Sequence, residues 1–418
     1  MTTTRTHTFL VVSTAITAHT LNAGRLVRGL TDRGHTVLWY AAERFAGYVE
    51  GCGAVHLISS PTAGYEEALP GAGGELSKVK RLYRDEVVGR AAQQRADVLG
   101  LLAGRSVDAV LSDTLIPAAS LVAAELRVPW ATFGDGPLLW WDEDTPPFGT
   151  GLPPMAGRAG RHRNRNVQAV IDRWLFGPYL PALNQLRSQS GLSAAHSMRE
   201  ATMSPALHLQ GCPPGFEYPR DGRPGHVHFV GALGPAVPVA PPLPDELARD
   251  RRARPLALVT QGTLRPDLTE LVLPGCAALI AEGFDVVVAG APDGPWNRWP
   301  GRVHPLESVD YADALAEADL FVTNGGYTGV TLAVAAGVPV IQAGNSEEKP
   351  DIGARVAWSG VGATLRIRRP SPWMLRPTIR WVMGSPRRQQ ASARLAAESA
   401  RYDAATIGSE LLIGLARG

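Results

Sequence analysis

Short unbroken apolar runs alternate along the chain with segments of helical period. Residues 9–13 (Phe-Leu-Val-Val-Ser) show no polar alternation, as expected of a strand buried on both faces. After a short turn, Leu21, Leu26, Val27 and Leu30 recur near the 3.6-residue period and predict a helix, which Asp32-Arg33-Gly34-His35 ends. A second strand follows at residues 36–40, then a strand at 108–112, a helix over 117–126 and a strand at 128–133. Strand–helix–strand alternation with doubly buried strands predicts a parallel sheet with helices on both faces.

The pattern breaks at Pro235, Pro238, Pro241, Pro242 and Pro244, which lead into a mostly charged stretch ending at residue 254. Such a segment reads as a stiff connector. Alternation then restarts with strands at 256–260, 284–289, 319–323 and 338–341 and helices over 268–282 and 332–336. The predicted fold is α/β: two doubly wound, Rossmann-like lobes with a cleft between them. The first spans residues 1–233, the linker 234–254 and the second lobe 255–400, with a C-terminal helix at 401–418 returning to the first lobe. Ligands of open parallel sheets sit beyond the carboxyl ends of strands. The loops after Ser13, Ser112, Thr260 and Thr323 are therefore where chemistry is expected. The stretches 62–90 and 140–189 are less regular and are candidates for shaping a second substrate's pocket.

Composition narrows the function classes. Lysine plus arginine total 41 against 39 acidic residues, a net charge of +2, which does not suggest a nucleic-acid or anionic-membrane partner. With 45% hydrophobic and 19% charged residues the chain can bury a sizeable core. Cys52, Cys212 and Cys276 are odd in number and share no CxxC spacing, which argues against a disulfide framework and suits a reducing cytoplasm. No apolar run approaches the roughly 18–20 residues of a membrane span, so a soluble protein is expected.

Familiar nucleotide and metal signatures are missing: the loop after the first strand lacks GxGxxG, and neither GxxxxGK[ST] nor HExxH occurs. That loop does hold His19, whose imidazole near the cleft could serve as a general base or merely cap the helix. Asp113, at the carboxyl end of a later strand, could hold one ring nitrogen and stabilise the imidazolium formed on proton uptake; Asp108 begins the same strand and belongs at the far end. Trp140-Trp141 could line an apolar pocket or form local core. Arg161-His-Arg-Asn-Arg165 and Asp142-Glu143-Asp144 read as solvated loops, although the latter has DxD spacing.

The segment from His19 to His35, ending Arg33-Gly34-His35, resembles the opening of the family 1, GT-B-fold glycosyltransferases of actinobacterial natural-product and UDP-glycosyltransferase type. Ala18 stands where that family usually has glycine, and Ser112-Asp113 is similar to the segment bearing its partner aspartate. In the second half, Gln261-Gly262-Thr263 resembles the family's strand-ending SxGT, and the segment from Val309 to Leu315 its nucleobase-reading stretch. Asn324-Gly325-Gly326-Tyr327-Thr328-Gly329, followed by Gly337-Val-Pro, resembles its donor signature. Asn324 replaces a usual histidine, and Thr328-Gly329 reverses the usual order. The family's sugar-binding acidic–Gln pair falls on Glu348-Lys349, with Glu347 alongside; this cluster could bind sugar hydroxyls or simply be solvated.

The resemblance implies an inverting transfer of a sugar from an NDP-sugar, UDP- or dTDP-linked, to a hydroxyl of a small hydrophobic natural-product acceptor. His19 would be the base and Asp113 its partner. Donor contacts would come from Gln261, Gly262, Thr263, Val309, Asn324, Gly325, Gly326, Thr328, Gly329, Glu347 and Glu348, and acceptor contacts from Trp140 and Trp141. No metal and no separate cofactor are expected, the nucleotide sugar being a co-substrate; nor is a nucleic-acid or membrane partner, though a homodimer is possible. The alternatives are an NDP-sugar 2-epimerase and a catalytically silent glycosyltransferase-like auxiliary partner.

Overall fold

In a computed structural model, residues 5–60, 75–220, 222–250, 252–262 and 267–418 are described. The first half runs β1 (Thr8–Val12), α1 (Thr17–Thr31), β2 (Thr36–Ala41), α2 (Ala46–Gly51), β3 (Val55–Ile58), α3 (Glu75–Arg81), α4 (Ala91–Leu101), β4 (Ala109–Asp113), α5 (Ala118–Leu126) and β5 (Trp130–Gly134). It continues with α6 (Gly157–Val170), α7 (Leu180–Gln189), α8 (Met198–Thr202), β6 (Leu207–Gln210) and β7 (Val227–Phe229). All seven strands are parallel, in the order β3-β2-β1-β4-β5-β6-β7. Phe9, Leu10, Val11 and Val12 alternate between the two faces and are fully buried on both, which explains their unbroken apolar run.

The second half runs β8 (Leu256–Thr260), α9 (Val272–Ala281), β9 (Asp285–Ala289), β10 (Val303–Leu306), α10 (Tyr311–Glu317), β11 (Leu320–Thr323), α11 (Tyr327–Ala336), β12 (Val340–Ala343), α12 (Lys349–Ser359), β13 (Gly362–Leu365), α13 (Pro372–Met383), α14 (Pro386–Ser399) and α15 (Ala404–Arg417). Its six strands are again parallel, in the order β10-β9-β8-β11-β12-β13. In each sheet the strand order reverses beside the first strand, between β1 and β4 and between β8 and β11. A crevice opens at the carboxyl ends of the strands at such a reversal.

Residues 140–189, expected to supply loops and helices, carry α6 and α7. Only Gly160 and Asn164 of α6 are buried, so the helix shows no apolar stripe to read. The run Arg161–Arg165 accordingly lies on a helix, where Arg161 pairs with Asp144 at 3.2 Å and Arg165 with Glu143 at 3.6 Å. The two supposed solvated loops are thus an acidic turn docked on a basic helix. The proline-rich segment is tied to the second lobe. Leu243 and Leu247 are buried in the second lobe's core, the Leu243 amide donates to Asp313 at 2.6 Å, and Arg252 pairs with Asp319 at 2.7 Å.

Helix α14 packs on α11, whereas α15 packs along α1. Ala404, Leu412 and Ile413 join Leu26, Val27 and Leu30 in the first lobe's core. Two glycines permit the close approach: a Cβ on Gly29 would run into the Ala405 carbonyl, and one on Gly408 into Leu26. Because the Gly29 obstruction is backbone, it cannot rotate away. Gly29→Ala should therefore cost about 1–3 kcal/mol and lower the melting temperature, read by a thermal or urea melt.

Candidate active site

Helix α1 begins directly after the β1 loop, and its first turn carries His19. Thr20 donates its hydroxyl to the Thr14 carbonyl at 2.9 Å, and Trp39 donates its indole N–H to Ser13 Oγ at 3.0 Å, so the loop is tied down from within. The His19 side chain is 17% exposed. Two carboxylates face it. Asp113 ends β4, is fully buried and stands 3.7 Å from Nδ1. Asp135, immediately after β5, stands closer, its Oδ2 lying 2.9 Å from Nδ1.

The expected His19–Asp113 partnership is thus not the tighter of the two. Asp113 Oδ2 accepts from the Thr14 amide at 2.8 Å and the Thr14 hydroxyl at 3.1 Å, and Oδ1 accepts from the Leu115 amide at 2.7 Å. Sheet register explains why both carboxylates reach one imidazole. Asp113 on β4 pairs with Phe133 on β5, so Asp135 lies two residues further along the neighbouring strand. Burial, the largest influence, pulls the His19 pKa down. Asp135 and Asp113 together more than offset it and hold the ring well above its ordinary 6.5. Asp108 lies at the opposite end of the sheet, accepting from the Thr8 amide at 2.7 Å.

At the second switch point, the β8 and β11 ends are cross-linked: the Asn324 side-chain amide donates to the Gln261 carbonyl, and Gln342 Nε2 donates to the Asn324 carbonyl at 3.0 Å. The Gln261 side chain is itself structural, its Oε1 accepting from the Leu271 and Val272 amides at the start of α9. Gly262 and Gly325 have φ of +72° and +104°, backbone shapes that favour glycine. A Cβ on Gly325 would also sit 2.9 Å from Gln342 Cγ. Gly326 begins α11 with open space where a Cβ would go, and no side chain caps that helix. Its first N–H groups are thereby left for an anion. Thr263 lies outside the described residues, as does part of the 62–90 stretch.

The remaining donor candidates divide. Thr328 does not point at the turn: its hydroxyl meets Asn22 of α1, with Oγ1 2.9 Å from Nδ2 and 3.1 Å from Oδ1. Gly329 serves packing, its Cβ position lying 3.1 Å from the Phe321 ring, and the Val309 side chain is in the core. Glu347, at φ +50°, accepts from Ser346 Oγ at 2.6 Å and from Lys349 Nζ. Lys349 is 7% exposed, so this group is not a solvated cluster. Glu348 is half-buried and sits at the N-terminal end of α12. A small cleft runs past Gln261, Asn324, Gly344, Asn345, Ser346 and Lys349. Of the acceptor candidates, Trp140 packs against the cluster of Leu138, Met203 and Val227, and Trp141 donates its N–H to the Thr145 carbonyl at 3.0 Å. Both are tied to local packing and are only half-buried.

Sequence reading missed two residues of this site. Asp135 follows a buried strand in the same way as Asp113, and the carboxyl-end rule would have found it had β5 been searched. Asn22 is one helical turn beyond His19, and its role depends on the other lobe.

The lobes meet through buried polar contacts. Arg355 of α12 bonds Glu217 of the first lobe, with Nη2 2.7 Å from Oε1, and Arg220 approaches the same carboxylate at 3.2 Å. Asp351 accepts from the Gly149 and Gly151 amides at 2.8 and 3.1 Å, and Gln210 donates to the Tyr327 hydroxyl at 2.9 Å. Asn22–Thr328 adds a contact between the second turn of α1 and the first turn of α11.

No protein-family model matches the chain. It is 34% identical to 4'-demethylrebeccamycin synthase of Lentzea aerocolonigenes, over 97% of this chain and 99% of that one. It is 31% identical to UDP-glycosyltransferase 2 of Phaeomoniella chlamydospora, over 65% of this chain and 62% of that protein. Among solved structures, the glycotransferase of kitacinnamycin superposes with a TM-score of 0.76 at 19% identity, covering 99% of this chain and all (100%) of that one. The glycosyltransferase VinC in complex with dTDP gives 0.71 at 20% identity, covering 98% and 100%. Two parallel sheets with this strand order, the paired helix starts between them and a relative matched end to end agree: the chain belongs to the GT-B-fold family 1 glycosyltransferases, enzymes that use nucleotide sugars.

Proposed function

We propose that this enzyme transfers a sugar from a UDP- or dTDP-linked donor to a hydroxyl of a small hydrophobic natural-product acceptor, with inversion at the anomeric carbon. The observation that carries the reading is the Asn22–Thr328 contact. It joins α1 one turn after His19 to α11 one turn after Gly325, which supports a shared opening for the two. A base from one side and an anion-binding helix start from the other are what a single displacement requires. Residues 1–233 would bind the acceptor, residues 255–400 the donor, and the helix at 401–418 would complete the first lobe.

His19 Nδ1 faces the carboxylates, so Nε2 is the atom that takes the acceptor proton. The acceptor oxygen bonds to the anomeric carbon as the bond to the diphosphate breaks, and the nucleotide leaves with the electron pair. Amides near Gly262 and Gly325–Gly326 and the N-terminus of α11 receive that charge, so the reading requires no metal. The Asp142–Asp144 turn lies in the first lobe and is engaged with arginines. Glu347 and Glu348 border the sugar's position, while Trp140 and Trp141 would contribute only a wall of the acceptor pocket. No described helix is long and apolar enough to cross a membrane; the proposed site of action is cytoplasmic, and a homodimer would leave the chemistry within one chain.

The relatives are transferases, which favours this reading over an epimerase or a silent auxiliary. The deciding experiment incubates the purified chain with UDP- and dTDP-sugars and a panel of apolar acceptors, with mass spectrometry for glycoside and proton NMR for anomeric configuration. A glycoside of inverted configuration is expected; epimerised donor without glycoside would overturn the reading. Gly325→Ala should weaken UDP or dTDP binding, because relief of the roughly 1–2 kcal/mol strain of a left-handed non-glycine residue and of its Cβ against Gln342 shifts the turn that presents the amides. Isothermal titration calorimetry checks it.

A further inference from the structure

We infer that Asp135 is the carboxylate that orients the His19 imidazole, and that Asp113 instead holds the loop from which α1 starts. The inference rests on His19 being the base proposed above and assigns the task of its two acidic neighbours. Asp113 already accepts three hydrogen bonds, two from Thr14 and one from the Leu115 amide, and its 3.7 Å separation from Nδ1 is beyond hydrogen-bond reach. Removing it would free the β1–α1 loop before it disturbed the ring.

Asp135 is placed the other way round. Its side chain is 4% exposed, and no group among the described residues makes a well-aligned hydrogen bond to Oδ2. A buried carboxylate oxygen without compensation is costly, and the group within reach is His19 Nδ1 at 2.9 Å. The charged groups facing the imidazole are Asp113 from the end of β4 and Asp135 from the loop after β5. Asp135 therefore keeps the proton on Nδ1 and presents the Nε2 lone pair to the acceptor. When Nε2 takes the acceptor proton, Asp135 neutralises the resulting imidazolium. It touches no reacting atom and is a positioning residue.

The test is a ring titration of His19 by nitrogen-15 NMR, joined to the pH profile of kcat/KM, in wild type, Asp135→Asn and Asp113→Asn. Asp135→Asn should lower the ring pKa by about one unit or more, a tenfold change in proton affinity. The acidic limb of the profile should move the same way, with nucleotide affinity retained. Asp113→Asn should leave the ring pKa raised and lower the melting temperature instead. A larger fall in Asp113→Asn than in Asp135→Asn overturns the inference. If Asp135→Asn does not fold, the Asp113→Asn titration decides alone: a raised value supports the assignment and a return to the ordinary value refutes it. Full transfer by His19→Ala would instead refute the base reading while leaving the ring titrations intact.

Discussion

His19→Ala is expected to lower sugar transfer by about 10²–10⁴-fold, the usual contribution of a positioned general base. The nucleotide's dissociation constant should change little, because its proposed contacts lie on β8, β11 and α11. The pH profile of the wild type sharpens this expectation. Asp135 and Asp113 raise the His19 pKa well above 6.5 against the opposing pull of burial. A base must be neutral to accept a proton, so below that raised value the free enzyme holds an inactive imidazolium. Transfer should therefore increase with pH through a limb displaced to the alkaline side of an ordinary histidine. Single-turnover rates across a pH series, with dissociation constants from calorimetry, measure both halves. A variant that keeps full turnover, or a wild-type limb at or below 6.5, would contradict this account.

The second large effect concerns stability. Arg355→Met should destabilise the fold by about 3–5 kcal/mol, because it strands the Glu217 carboxylate in the interior with Arg220 as its remaining cation. Glu217, Arg220 and Arg355 are between 1% and 4% exposed, so solvent does little to screen the loss. Burial alone would raise the Glu217 pKa; Arg355 and then Arg220 outweigh it and bring it to about 2. A depressed folded-state value gives stability that is complete above the unfolded value, near 4.5, and is lost as pH falls through about 2. The wild type should thus lose stability across that acid window, and Glu217→Gln should lose less there. Urea melts from pH 7 downward would show it. Recovery should require removing the Arg220 charge as well, because Glu217→Gln with Arg355→Met leaves that guanidinium buried without its carboxylate.

Much of the fold could be read directly from the sequence because both sheets are parallel and buried on two faces. Residues 9–13, 256–260 and 319–323 show their strands as continuous apolar runs. The strands that escaped notice, β3, β6, β7, β10 and β13, are short, and several border the sheet edges, as with Val227–Phe229 and Val303–Leu306. Helix α6 was hidden for a different reason: its covered face, with Gly160, Asn164 and Gln168, is mostly polar and so makes no apolar stripe. In the site, strand ends pointed to His19 and Asp113, and glycine punctuation pointed to Gly325-Gly326. Local sequence could not show that Asp113's oxygens were already occupied, that Thr328 turns to the other lobe, or that Lys349 is buried against Glu347. Each of these depends on partners distant along the chain or on backbone geometry invisible before folding.

The seat of α15 also governs the order in which the molecule can assemble. The apolar flank of Leu26, Val27 and Leu30 has its cover encoded some 380 positions downstream, on the far side of every strand of the second sheet. The earlier half cannot finish its own interior until the later half has been traversed. Closing so wide a loop is entropically slow, and contacts of such separation delay folding. The two sheets should therefore melt as one cooperative unit, and a fragment ending at the connector would leave an oily helix face open to aggregation.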